Sequence, residues 1–155
     1  NSGYVEKALR YLHALQLMAL LIRPAALEAA LRFTRDELDE LADRFTSPGS
    51  AYLADMLEAM LKHTTLEPLY VILSETNHLL EWGHHFAYYP SKRRTLSHLN
   101  KQVIAAFRQL NQGNADSFAD GIADCYCYIL VCMKKHMTEK YKFSNASNIR
   151  IPEKY

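Results

Sequence analysis

The chain has 155 residues, 49% of them apolar and 23% charged, with a net charge of only +1. That composition fits one globular domain able to bury a respectable core, and it excludes a disordered chain. No apolar run reaches the roughly 18 to 20 residues of a membrane span; the longest candidate is Ala14 to Ile22, and the opening NSGYVEK has no basic segment ahead of an apolar one. No membrane partner and no signal peptide are therefore expected, and the cytoplasm is the expected location.

In chain order, Tyr4 to Leu21 predicts a first helix with apolar residues at Leu9, Leu12 and Leu15, ended by Pro24, which disfavours helix at Arg23. Its apolar face is wider than one neighbour covers. Leu12, Leu15, Met18 and Ile22 are accordingly expected at an oligomer interface, against a second copy or a different subunit. Leu27 to Phe45 carries the sharpest local signal. Leu27, Ala30 and Leu31 give a short helix an apolar stripe, and Phe33 marks a connection. Thr34 followed by Glu37 has capping-box spacing, after which Leu38, Leu41 and Ala42 share a face joined by Phe45. Two helices so closely joined predict a helix-turn-helix-like unit, although a plain helical hairpin has the same pattern.

These residues carry a resemblance. The run from Leu17 to Phe45 is similar, without gaps, to the N-terminal part of the FlhC subunit of the bacterial flagellar master regulator. The matching features are Leu17, Leu20, Arg23, Leu27-Glu28, the turn Phe33-Thr34-Arg35, Leu38 and Leu41. The likeness covers about a fifth of the chain. It implies a transcription activator that pairs with a second, FlhD-like subunit. FlhC-like proteins also carry four zinc-binding cysteines near the C-terminus, whereas this chain has three cysteines in all, inside one predicted helix. The would-be recognition helix departs as well: Arg35 and Arg44 face Asp36, Glu37, Asp39, Glu40 and Asp43, a balance of −3. Phosphates repel such a helix, which leaves Thr34 and Arg35 at its start as its candidate DNA contacts.

TSPGS, residues 46–50, is the clearest break and a possible hinge. Helices are predicted from Ala51 to Lys62 and from Leu66 to Trp82, the latter stopped by Gly83. HHFAYYPS follows as an aromatic loop. Ser91 to Gln112 reads as a helix closed by Gly113, and Phe118 to His136 as the last long one. From Thr138 the pattern changes to two short strands or a tail. The expected fold is thus all-α, a helical domain over 1–137 with a short β or extended element over 138–155.

Charge is unevenly distributed. Residues 1–91 hold 7 basic and 12 acidic residues, a balance of −5, whereas 92–155 hold 11 and 5, a balance of +6. One end can therefore face a polyanion, though solvated faces also look like this. Lys92, Arg93 and Arg94 open a predicted helix that continues through Lys101 and Arg108, and these five join Thr34 and Arg35 as candidate DNA-binding residues. Cys125, Cys127 and Cys132 point different ways from one helix and read as reduced core thiols. Glu75-x-x-His78 and Glu81-x-x-His84 have di-iron spacing but fall on one helix end, whereas di-iron bundles place the motifs on different helices with two further glutamates opposite, so a metal site is not expected. No nucleophile elbow, phosphate loop or metalloprotease motif occurs. The expectation is a non-enzymatic, DNA-binding transcriptional regulator in a homo- or hetero-oligomer, with no cofactor, metal or small-molecule substrate. The alternative is a helical adaptor that contacts protein only.

Overall fold

The computed structural model describes residues 2–84, 92–139 and 151, with the side chains of Ser2, Tyr4 and 82–84 left aside. Six α-helices occur among the described residues: α1 (Ser2–Arg32), α2 (Arg35–Arg44), α3 (Tyr52–Leu61), α4 (Glu67–His84), α5 (Lys92–Asn111) and α6 (Ala115–Glu139). The all-α expectation stands. Of the β or extended element expected over 138–155, Thr138 and Glu139 instead complete α6, and 140–155, Ile151 excepted, lie outside the described residues.

The molecule is built around α1. It packs chiefly against α6 on one side and α4 on the other, with α3 alongside, while α5 packs on α6 and α3. Its inner face, Ala8, Leu12, Leu15, Met18, Ala19, Ile22, Ala26 and Ala29, is wholly buried. Alanines on that face let the neighbouring helices approach closely, and Phe118, Ile122, Leu130 and Met133 of α6 fill the remaining space. The segment Val5–Arg32 alone among the described residues is long and apolar enough to cross a membrane by length and composition. Its inner face is the core of the bundle, while Leu17, Leu20 and Leu31 on its outer side are exposed.

Two sequence expectations about α1 are corrected. Leu12, Leu15, Met18 and Ile22, expected at an interface, are each 0% exposed within the single chain. The chain's own later helices cover the wide apolar face, so a second copy cannot reach it. The helix also does not end at Pro24, which lies inside it. Proline removes one N–H and crowds the preceding turn, a cost of about 3 kcal/mol in a helix interior. Pro24 is on the exposed side, however, and the buried residues Ile22, Ala25, Ala26 and Ala29 on either side of it are held by α4 and α6. Burial of that face outweighs one missing hydrogen bond. The expected short helix at Leu27 is thus the C-terminal third of α1.

Local chemistry explains the other boundaries. Gly113, at φ +80°, closes α5 in a Schellman arrangement: its N–H donates to Leu110 O at 3.1 Å, and Asn114 N–H donates to Gln109 O at 2.9 Å. Gly83 does not stop α4, which continues to His84. The 46–50 turn is anchored rather than free. Asn100 of α5 donates to Ser50 O at 2.8 Å and accepts from Tyr52 N at 3.1 Å, while Phe45 and Tyr52 stack at 5.0 Å. α5 and α6 approach closely at Gly121, where an added Cβ would lie 2.9 Å from the Ala106 Cβ.

Candidate nucleic-acid interface

The corner between α1 and α2 is made by Phe33 and Thr34. Thr34 caps α2 by accepting from Glu37 N at 3.2 Å, and Glu37 Oε1 accepts from Thr34 N at 3.0 Å, which completes the expected capping box. The second oxygen of Glu37 lies 2.7 Å from His63 Nε2, whose ring meets Phe33 edge-on at 5.2 Å. One turn earlier, Glu28 of α1 accepts from both the backbone and the hydroxyl of Thr65 and pairs with Arg32 at 3.3 Å. Two carboxylates thus hold the α3–α4 turn against the α1–α2 corner. Both are pushed below the ordinary range, Glu28 first by the Thr65 hydroxyl and Glu37 first by the Thr34 amide. These long-range partners carry no local sequence signal.

Arg35, the first residue of α2, pairs with Asp39 at 3.2 Å and donates to Asn111, the last residue of α5, at 3.3 Å. It connects the corner to the basic helix. α5 holds five basic residues and no acidic one. Arg94, Lys101 and Arg108 are exposed and recur every seven residues, so they form a single stripe with steps of about 10 Å at 1.5 Å per residue. Arg93, Arg94, Ser97, His98 and Lys101 line a shallow open groove at one end of this stripe. His98 stacks on Tyr128 of α6 at 4.1 Å, and burial, followed by a Cys132 contact, pushes the Tyr128 hydroxyl pKa up. Lys92 is turned away from the stripe and lines an apolar cavity on the opposite flank of α5.

Charge of the other sign gathers elsewhere. Glu37, Glu40, Asp55 and Glu58 of α2 and α3 surround a small depression, relieved only by Arg44 and Lys62. Arg44 reaches Glu40 at 3.2 Å and Asp55 at 3.5 Å, fastening α2 to α3. On α6, Asp120 and Asp116 hold Arg23 of α1 at 2.8 and 3.2 Å. The sequence asymmetry therefore becomes a spatial one, with an acidic α2–α3 face and a basic α5 face.

None of the three cysteines is in a disulfide. Cys125 is buried, and desolvation pushes its pKa up to about 12, while Cys127 and Cys132 are half-buried. Glu75, His78 and Glu81 are exposed on α4, with His78 Nδ1 3.9 Å from Glu81. Among the described residues no group of three or more His, Cys, Asp or Glu side chains converges as metal ligands would.

No family model matches the chain, and comparison with curated proteins and with solved structures yields no match.

Proposed function

We propose that the protein is a non-enzymatic, cytoplasmic regulator that grips the phosphate backbone of duplex DNA through α5 and works as part of a protein assembly. The observation that carries this reading is the uninterrupted stripe of Arg94, Lys101 and Arg108, exposed on a helix with no acidic residue and continued by Arg35 at its far end. A row of cations about 20 Å long, with no ion-pair partner among the described residues, matches a polyanion, since DNA affinity rests chiefly on cations that displace condensed counterions. The likeness to FlhC supports a transcriptional role, with the capped α1–α2 corner as its helix-turn-helix-like unit. In this reading α5 and Arg35 meet DNA, and the acidic α2 faces away from it or toward a protein partner.

The test is a titration against random-sequence duplex DNA at several salt concentrations. Replacing Arg94, Lys101 and Arg108 together by alanine should weaken binding to all sequences alike and flatten the log–log salt dependence by about 0.9 per lost phosphate contact. Lys92→Ala, on the other flank, should leave the slope unchanged. An unaltered slope in the triple variant would remove α5 from the interface.

A second reading, a helical adaptor with no nucleic-acid contact, is favoured by one observation. Leu17, Leu20 and Leu31 on α1 and Ile72 and Leu79 on α4 are large, apolar and exposed. Large apolar side chains exposed along two helices suit a surface that meets another protein. The two readings part on the salt titration, because an adaptor would bind duplex DNA no better than its net charge of +1 allows.

A further inference from the structure

α4 packs chiefly on α1, and α5 chiefly on α6, so the two helices diverge and leave a cavity of about 270 Å³ between them, roofed by α3. Its walls are Leu53 of α3, Leu80 of α4, Leu96 and Leu99 of α5, and Ile129 of α6, over a floor that includes Leu15. Asn100 ties the start of α3 to α5 beside this space, its amide oxygen accepting from Tyr52 N and its amide nitrogen donating to Ser50 O. An apolar cavity of about 150 Å³ is enough to hold benzene. This one therefore admits a substituted single ring or a medium-length alkyl chain.

Two charges stand at its rim, Glu81 and Lys92. Glu81 accepts from Asn77 at 3.4 Å and has His78 at 3.9 Å. Lys92 makes no ion pair among the described residues. A charge with no ion-pair partner among the described residues, beside an apolar hole, suits an amphipathic ligand of opposite sign, since such sites combine an apolar lining with few orienting polar groups. We infer that the α4–α5 cavity is a binding site for a small organic acid, a single-ring aromatic or medium-chain carboxylate, with its apolar body among Leu53, Leu80, Leu96, Leu99 and Ile129 and its carboxylate at Lys92. The inference concerns the flank of α5 opposite the basic stripe and stands whether or not that stripe meets DNA.

Octanoate, octanol and octylamine share one chain and differ in head-group charge, so together they separate cavity filling from charge recognition. Methyl-resolved NMR of the full chain should show saturable shifts with octanoate at Leu53, Leu80, Leu96, Leu99 and Ile129. Lys92→Gln, at an exposed position that folding does not depend on, should weaken octanoate about twofold to fivefold and leave octanol unchanged, as the loss of one exposed charge contact does. Leu96→Trp, which fills the mouth from a half-buried site, should abolish binding of both. Three results would each overturn the assignment: no saturable shift, shifts centred on exposed Leu17 and Leu20 instead, or octylamine binding more tightly than octanoate.

Discussion

The capping box of Thr34 and Glu37 was legible because its parts lie within four residues: a hydroxyl, a carboxylate and the free amides of a helix start. Thr34→Ala should cost about 1 kcal/mol in denaturant unfolding, with the helical content retained. What spacing could not reveal is that Glu37 also reaches His63 and that Glu28 reaches Thr65, 37 positions away in sequence. These contacts contribute to acid stability. Both carboxyls have folded pKa values below the ordinary glutamate value of 4.5. Their stabilisation is thus complete above that pH and is lost as pH falls through the lowered folded values. Unfolding midpoints measured from pH 7 to pH 3 should decline, and the Glu28→Gln, Glu37→Gln double variant should start lower and decline less. A decline as steep as that of the parent would assign acid sensitivity to other carboxylates.

The stop at Gly113 was read well because its chemistry is local, whereas Pro24 and Gly83, which give equally local stop signals, both lie inside helices. A proline is a strong local signal for ending a helix, but the residues that hold α1 together across it come from α4 and α6, and no window along the chain contains them. The pairing of α5 with α6 was hidden for the same reason. Gly121 looks like a weak point in a helix, worth about 1 kcal/mol of propensity against alanine. Its role is close approach: a Cβ there meets the Ala106 Cβ at 2.9 Å, and an atom one bond from the backbone cannot swing away. Gly121→Ala should therefore destabilise the protein by about 1–3 kcal/mol despite the better helix propensity. In an Ala106→Gly background the same change should be neutral or stabilising. Thermal unfolding of the four-variant cycle measures the coupling, and simple additivity would mean that α5 and α6 separate without strain.

At the scale of the molecule, the sequence shows that α1 is too apolar for one neighbour but not which flank is left outside. Its partners decide that. Arg23 points to α6 and Glu28 to the start of α4, and the residues between them on the helical wheel, Leu20, Pro24 and Leu31, look outward. On α4, Asn77 and Glu81 face the α5 side, which leaves Ile72 and Leu79 on the flank nearer this outward strip. Leu20 is 51% exposed and Leu31 82%, against 0% for Met18 and Ile22. Association through α1 therefore has to use the Leu17, Leu20 and Leu31 strip rather than the residues that sequence periodicity selects. Leu17→Glu with Leu20→Glu should leave the melting temperature within about 2 °C of the parent, since exposed substitutions seldom change stability by more than about 0.5 kcal/mol. In light scattering over a range of concentrations, the same pair should convert any self-associated species to monomer. Met18→Ala should instead cost about 2–5 kcal/mol of stability, because it opens a hole in the core, and should leave the association constant of the folded fraction unaltered. If the double glutamate variant associates as the parent does, the outward strip of α1 is not the contact, and the exposed Ile72 and Leu79 of α4 become the surface to change next.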